Sequence, residues 1–193
     1  MDIFYKYFLI VSLMLYFSGF IVKNISTAIR TRQAIQGKSI KVKMISILTP
    51  LLYLLIVTNI LRGADLFFRV NWLDHRIIRI IGVILVSISL VLGFISLITI
   101  RDSWRVGIRP EQKTDLITNG IFRFSRNPYF LLYILIFLGC FLLTPTYVFL
   151  IIYLIWIFLI HLLILDEEKY LIEQHGDIYK DYKRRVKRYL TIK

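Results

Sequence analysis

The chain has 193 residues, of which 58% are hydrophobic, 15% aromatic and 19% charged, with a formal net charge of +13. Soluble domains are roughly half apolar and about a quarter charged. Here the apolar residues are more numerous and are gathered into long blocks, which excludes a soluble globule, a disordered chain and a disulfide scaffold. The single cysteine, Cys140, lies inside one of those blocks and has no partner for an intrachain disulfide. What remains is one domain, residues 1–193, crossing a bilayer several times.

A crossing needs about 20 apolar helical residues, because the hydrocarbon core is about 30 Å thick. The first candidate is 3–22, with Lys6 near its end, where the side chain can snorkel. Asp2 at its start and the lack of a small-residue cleavage site mark it as an anchor and not a signal peptide. The second, 44–61, carries Pro50, which predicts a kink. The third is 77–100. Residues 127–165 then contain no Asp, Glu, Lys or Arg, and as one helix they would reach about 58 Å, too long for a single crossing. Thr144-Pro145-Thr146 predicts a break, giving helices over 128–143 and 147–165 joined by a tight turn.

Five crossings put the termini on opposite sides. Six Lys/Arg fall in 23–43, six in 101–126 and eight after residue 165, all on one side, against five on the other. The positive-inside rule then places the N-terminus outside and the C-terminus in the cytoplasm. The basic residues flank membrane segments, where they meet anionic lipid headgroups, so the net charge does not point to nucleic acid. With no appended targeting element, the chain is expected in the cytoplasmic membrane of a prokaryote. The predicted fold is an all-α integral membrane domain of five transmembrane helices, with a tight C-terminal helical hairpin and a cytoplasmic amphipathic C-terminal helix. Residues 1–100 hold the first three crossings, and 101–193 the half in which a ligand is expected to bind.

The residues capable of chemistry gather in two cytoplasmic stretches, 101–128 and 166–193. The hairpin brings Asn127, at the start of the fourth helix, close to Asp166, Glu167 and Glu168 at the end of the fifth. Asn127-Pro128 also suits a plain helix start, with Asn as cap and Pro in the first turn, and the three acids suit a solvated cluster. His161, one turn inside the fifth helix, is an intramembrane ionisable group, or a simple hydrogen-bond partner for a neighbour. No Cys/His cluster has metal-ligand spacing, and Gly107 and Gly120 are too isolated for a phosphate loop. Tyr179, Tyr182, Val186 and Tyr189 lie three and four apart within 178–190, with Lys180, Lys183, Arg184 and Lys187 on other faces. This predicts a basic amphipathic helix on the membrane surface, separated from the preceding helix at His175-Gly176-Asp177.

Leu116-Ile117-Thr118-Asn119-Gly120-Ile121-Phe122, Arg126-Asn127-Pro128, Glu167-Glu168 with Leu171, and Gly176-Asp177 with Tyr179 and Tyr182 follow one another around the hairpin. In that order they resemble the isoprenylcysteine carboxyl methyltransferase family and, more distantly, phospholipid N-methyltransferases, over about residues 114–188. The resemblance implies an integral-membrane enzyme that binds S-adenosylmethionine between its last two helices and C-terminal segment. By position, the cofactor residues would be Thr114, Asp115, Leu116, Ile117, Phe122, Asn127, Pro128, Tyr129, Phe130 and Glu167, with Arg188 a substrate residue and no metal. Glu167 can pair with a cationic part of that cofactor, the amides around Asn127 can bind its carboxylate, and the rings of Phe122, Tyr129 and Phe130 suit a sulfonium or adenine. Methyl transfer from a sulfonium to a carboxylate or thiolate needs no general base, so no catalytic residue is assigned.

The sequence departs from the commonest family pattern. Asn127 stands for a His, Phe130 for a Tyr, Leu163 for an Arg implicated in holding the substrate carboxylate, and Thr191 for a Pro. The implied activity is methyl transfer to a lipophilic acceptor from the bilayer: a prenylcysteine-like carboxylate, a thiol, a phenol or quinone, or a lipid amine. An NADPH-dependent reductase of sterol-reductase type and a non-enzymatic scaffold or transporter are the alternatives. Against the transporter stand the absence of a repeat and of polar breaks at mid-depth.

Overall fold

The computed structural model describes residues 2–63, 67–109, 111–112 and 114–191. Among these the chain is helical without a β-strand: α1 (Ile3–Thr31), α2 (Ile40–Arg62), α3 (Arg76–Thr99), α4 (Pro128–Leu143) and α5 (Tyr147–Arg185). Four of them, α1, α2, α3 and α5, are long and apolar enough to cross a membrane. The fifth, α4, has 16 residues and rises about 24 Å, yet it joins the same two ends of the bundle.

Local chemistry sets most helix starts. The carboxylate of Asp2 accepts the Phe4 N–H at 3.1 Å, and the Ser39 hydroxyl accepts that of Val42 at 3.2 Å. Thr146 caps α5 by accepting the Phe149 N–H, and Pro128 opens α4 in the first turn, where its missing N–H costs nothing. The expected break at Thr144-Pro145-Thr146 is present, so α4 and α5 form a hairpin with only those three residues between them. Two helices run past their apolar cores. α1 continues to Thr31, where Asn24 accepts the Trp104 indole N–H at 2.8 Å, and α2 continues through Pro50 to Arg62.

The two ends of the bundle differ in charge. At one, the hairpin turn pairs with residues 68–70: the Val70 N–H donates to the Pro145 carbonyl at 2.9 Å and the Tyr147 N–H to that of Phe68 at 3.0 Å. Asp74 pairs with both Arg69 and Arg79 beside it. At the other end the three basic segments meet. The Gly37 N–H donates to the Val106 carbonyl at 2.8 Å, Lys41 pairs with Asp166, and the Arg126 N–H donates to the Lys187 carbonyl at 3.1 Å. α3 and α4 pack closely through Gly82 and Gly139. A Cβ on Gly139 would lie 2.7 Å from the Val86 side chain and 2.8 Å from the Gly82 carbonyl oxygen. Small residues permit this approach, as is common between membrane helices.

α5 kinks at Gly176, whose φ of 54° and ψ of −128° leave the helical region, the break expected at 175–177. The final helical turns end at Arg185, short of the expected 190. Their apolar face is not left for lipid: Tyr179, Tyr182 and Val186 are buried against Leu116, Leu171 and Ile172. The physical reason is the tyrosine hydroxyl, which needs an acceptor when buried. Tyr182 finds one in the Phe122 carbonyl, at 2.7 Å. Tyr189 is half-buried, and its hydroxyl lies 2.7 Å from His161 Nδ1, which gives that intramembrane histidine a structural partner.

Candidate functional site

The start of α4, the segment before it, and α5 just beyond its membrane-spanning part enclose a cleft at the basic end. Its volume is about 940 Å³ when the open space at its mouth is included. All ten residues expected to touch a cofactor line it: Thr114, Asp115, Leu116 and Ile117 from the connecting segment, Phe122 from the short turn before α4, Asn127, Pro128, Tyr129 and Phe130 from the start of α4, and Glu167 from α5. Among the described residues, no three His, Cys, Asp or Glu side chains gather as a metal site would require.

Glu167 and Glu168 are neighbours in sequence with opposite environments. The uncharged stretch of α5 ends at Leu165, so both lie beyond it. Glu168 is buried, its side chain 4% exposed, and accepts three hydrogen bonds: one from Arg126 Nη2 at 2.7 Å and two from Arg188, through Nε and Nη2, at 2.9 Å each. Burial pushes the Glu168 pKa up, but the hydrogen bonds from Arg188 and Arg126 outweigh it and hold the carboxyl below its ordinary range. Glu167 faces the cleft and has no ion-pair partner among the described residues. Burial pushes its carboxyl up to about 8, with the Gly107 backbone N–H opposing the shift and nearby Asp166 adding to it.

The reading of Asn127 as a helix cap requires correction. Asn127 does not cap α4; its Nδ2 reaches the Arg188 carbonyl at 3.4 Å, and Ser125 Oγ accepts the Asn127 N–H. Asn127 therefore joins the cleft to the C-terminal strap. Arg188 lies outside the cleft, its guanidinium committed to Glu168. With Arg126, which also donates to the Lys183 and Val186 carbonyls, it pins residues 183–188 over the start of α4. The acidic pair thus splits between one carboxylate that positions the wall and one that faces the ligand space.

A second cavity, of about 1590 Å³ measured to its mouth, lies between α1 and α2 and is floored by α4 and α5. Its walls are mostly aliphatic and aromatic, with small residues Ala28, Ala34 and Ser46 leaving the space. Leu163 lies in this wall, which places the departure at that position in the chamber and not in the cleft. Trp104, Arg105, Arg109, Tyr129 and Phe130 line both cavities, so they form the partition. The sequence reading missed Trp104, Arg105 and Arg109 because in the sequence they belong to an irregular loop, and the arginines counted only as topogenic charge. Tyr170 holds this loop: its hydroxyl lies 3.1 Å from the carbonyls of both Arg109 and Gln112.

An all-helical membrane protein whose polar residues enclose one cleft at a membrane boundary, beside an apolar chamber, is the class that fold and site define. The sequence model of phospholipid methyltransferases matches residues 77–178, more than half of the chain. The chain belongs to the phospholipid methyltransferase family, and it is an integral-membrane methyltransferase. The matched segment begins at α3 and ends just past the Gly176 kink, so it contains the whole hairpin and most of the cleft. No curated protein matches the sequence.

Proposed function

We propose that the cleft binds S-adenosylmethionine and that the protein methylates a lipophilic acceptor reaching it through the chamber between α1 and α2. The observation that carries this reading is the pair of adjoining cavities, one at the basic end with Asp115, Arg126 and Glu167 in an otherwise largely apolar wall, one apolar and set between membrane helices. Glu167 supplies a carboxylate facing the cleft, matched to an ammonium or sulfonium. Phe122, Tyr129 and Phe130 offer aromatic faces to a cation or a purine. The first-turn amides of α4 suit a carboxylate.

When bound, the cofactor supplies an electrophilic methyl group. The chain's own contribution is alignment and dryness: the partition formed by Trp104, Tyr129 and Phe130 brings two ligands end to end, and the surrounding apolar walls exclude water. Such positioning can lower a barrier by several kcal/mol, and it needs no catalytic dyad. The charge bias of the two ends supports a cytoplasmic cleft with the N-terminus outside. Anionic headgroups would then face Lys180, Arg184 and Lys187.

The test is calorimetric titration of S-adenosylhomocysteine into the detergent-purified protein, with Glu167→Gln alongside. Saturable binding that weakens in the variant is the expected result. No binding, with NADPH binding in its place, would overturn the reading in favour of a reductase; binding of neither would favour a non-enzymatic role.

A further inference from the structure

The helices of the bundle end at different levels beside the hairpin turn. A Cβ on Gly82 of α3 would lie 3.0 Å from the Leu143 side chain and 3.3 Å from that of Leu142, so the last residues of α4 pack beside Gly82. α3 itself begins at Arg76, about 9 Å further out at 1.5 Å per residue. Over that interval it exposes Ile77, Ile80 and Ile81, side chains suited to hydrocarbon. The turn at Thr144-Pro145-Thr146 is therefore recessed, and residues 67–73 fill the recess. Phe67, Val70 and Leu73 pack inward, while Phe68 and Trp72 face out of the protein, 73% and 68% exposed.

We infer that residues 67–73 are a re-entrant segment seated in the lipid leaflet at the hairpin-turn end, with Phe68 and Trp72 against the glycerol and upper acyl groups of phospholipids. The segment lies at the opposite end from the cleft, and its seat in the leaflet holds whatever the cleft binds. Irregular backbone at membrane depth is tolerated only where protein satisfies its polar groups. Here the Val70 N–H donates to the Pro145 carbonyl, the Phe68 carbonyl accepts the Tyr147 N–H, and the Leu73 N–H donates to the Val70 carbonyl at 3.1 Å. The charges beside it are matched as well. Asp74 takes both Arg69 and Arg79, and the Arg79 guanidinium lies 5.7 Å from the centre of the Tyr5 ring; ionisable groups near the hydrocarbon persist when paired in this way. Phe68 has a φ of 57°, a left-handed conformation uncommon for a bulky residue. That conformation sets its carbonyl on the hairpin turn with the ring turned outward, and removing the ring from water offsets the strain. Trp72 suits the same level, because its ring is apolar and its N–H can reach an ester carbonyl.

Trp72 can report its own surroundings, because Trp104 and Trp156 are buried. The full chain and Trp72→Phe would be placed in nanodiscs of phosphatidylcholine brominated either high on the acyl chain or near its end, and the difference between their emissions assigned to Trp72. The expected result is a loss of roughly half or more of that emission to the high bromine, a smaller loss to the deep one, and little to aqueous iodide, as for an interfacial indole. Quenching by iodide alone would place Trp72 in water. Quenching by none of the three would place it beneath another protein surface, such as a second copy, and stronger quenching by the deep bromine would place it away from the boundary. Each of these three results would overturn the inference. Phe68→Cys gives a second readout, since the native Cys140 is buried. In unbrominated nanodiscs a water-soluble maleimide should label it at least about tenfold more slowly than Asp177→Cys, because a thiolate forms poorly away from water; the Asp177 side chain is 89% exposed. Equal rates would take Phe68 out of the leaflet and overturn the inference too.

Discussion

Replacing Glu167 by Gln should make the ligand-free protein more stable and its complex with S-adenosylhomocysteine harder to form. Burial pushes this carboxyl up to about 8, against about 4.3 in an unfolded chain. At about 1.4 kcal/mol per unit the full displacement corresponds to roughly 5 kcal/mol; water at the cleft mouth reduces this to on the order of 2 kcal/mol. The folded state holds the proton more tightly than the unfolded one. Wild-type stability therefore falls as pH rises from about 4.3 to about 8 and levels off above that. The Gln variant lacks the titration, so near pH 9 it should melt higher in detergent by roughly 4–8 °C, at about 2–4 °C per kcal/mol for a chain of this size. The difference should vanish below pH about 4. Ligand at a hundredfold its dissociation constant adds about 2.7 kcal/mol to a protein that binds it, and this gain should belong mainly to the wild type. Wild-type affinity should also rise with pH toward about 8, as the carboxylate forms, and the variant's should not. Equal melting temperatures near pH 9 would refute the desolvated carboxylate, and equal ligand-induced gains would remove Glu167 from the site.

Glu168→Ala should cost about 3–5 kcal/mol, because it leaves Arg126 and Arg188 without their buried counter-charge; chemical denaturation in detergent would measure it. The depressed carboxyl of wild-type Glu168 contributes stability above its unfolded value of about 4.3, lost as pH falls through its lower folded value, and an acid-unfolding curve should show that loss. Gly139→Ala should destabilise by about 1–3 kcal/mol, since its new methyl would meet backbone and a packed Val86; a melting curve unchanged from wild type would contradict the close α3–α4 packing. Ala28→Trp should reduce methyl transfer to lipid acceptors toward background while leaving S-adenosylhomocysteine affinity unchanged, as read by radiolabel transfer and calorimetry.

The linear pattern of apolar blocks and breakers determined the helices. An uncharged stretch too long for one crossing, interrupted by Thr144-Pro145-Thr146, left the chain no choice but a hairpin, and the first residues of α4 and α5 could be read from it. The uneven distribution of Lys and Arg separated the two ends for the same reason: a bilayer forces charge to the boundaries. The family resemblance, carried over by position, named ten residues that line one cleft. Tertiary structure alone decided how the adjacent acids divide. Glu167 and Glu168 are indistinguishable by local pattern, and only the fold brings Arg126 and Arg188, 42 and 20 residues away, onto one of them. It also decided that Tyr179 and Tyr182 turn into the protein, because their partners come from the segment before α4. The partition escaped the sequence for a similar reason. Trp104, Arg105 and Arg109 lie in a loop without periodicity, and their shared position between two cavities exists only once α1, α2, α4 and α5 have packed around them.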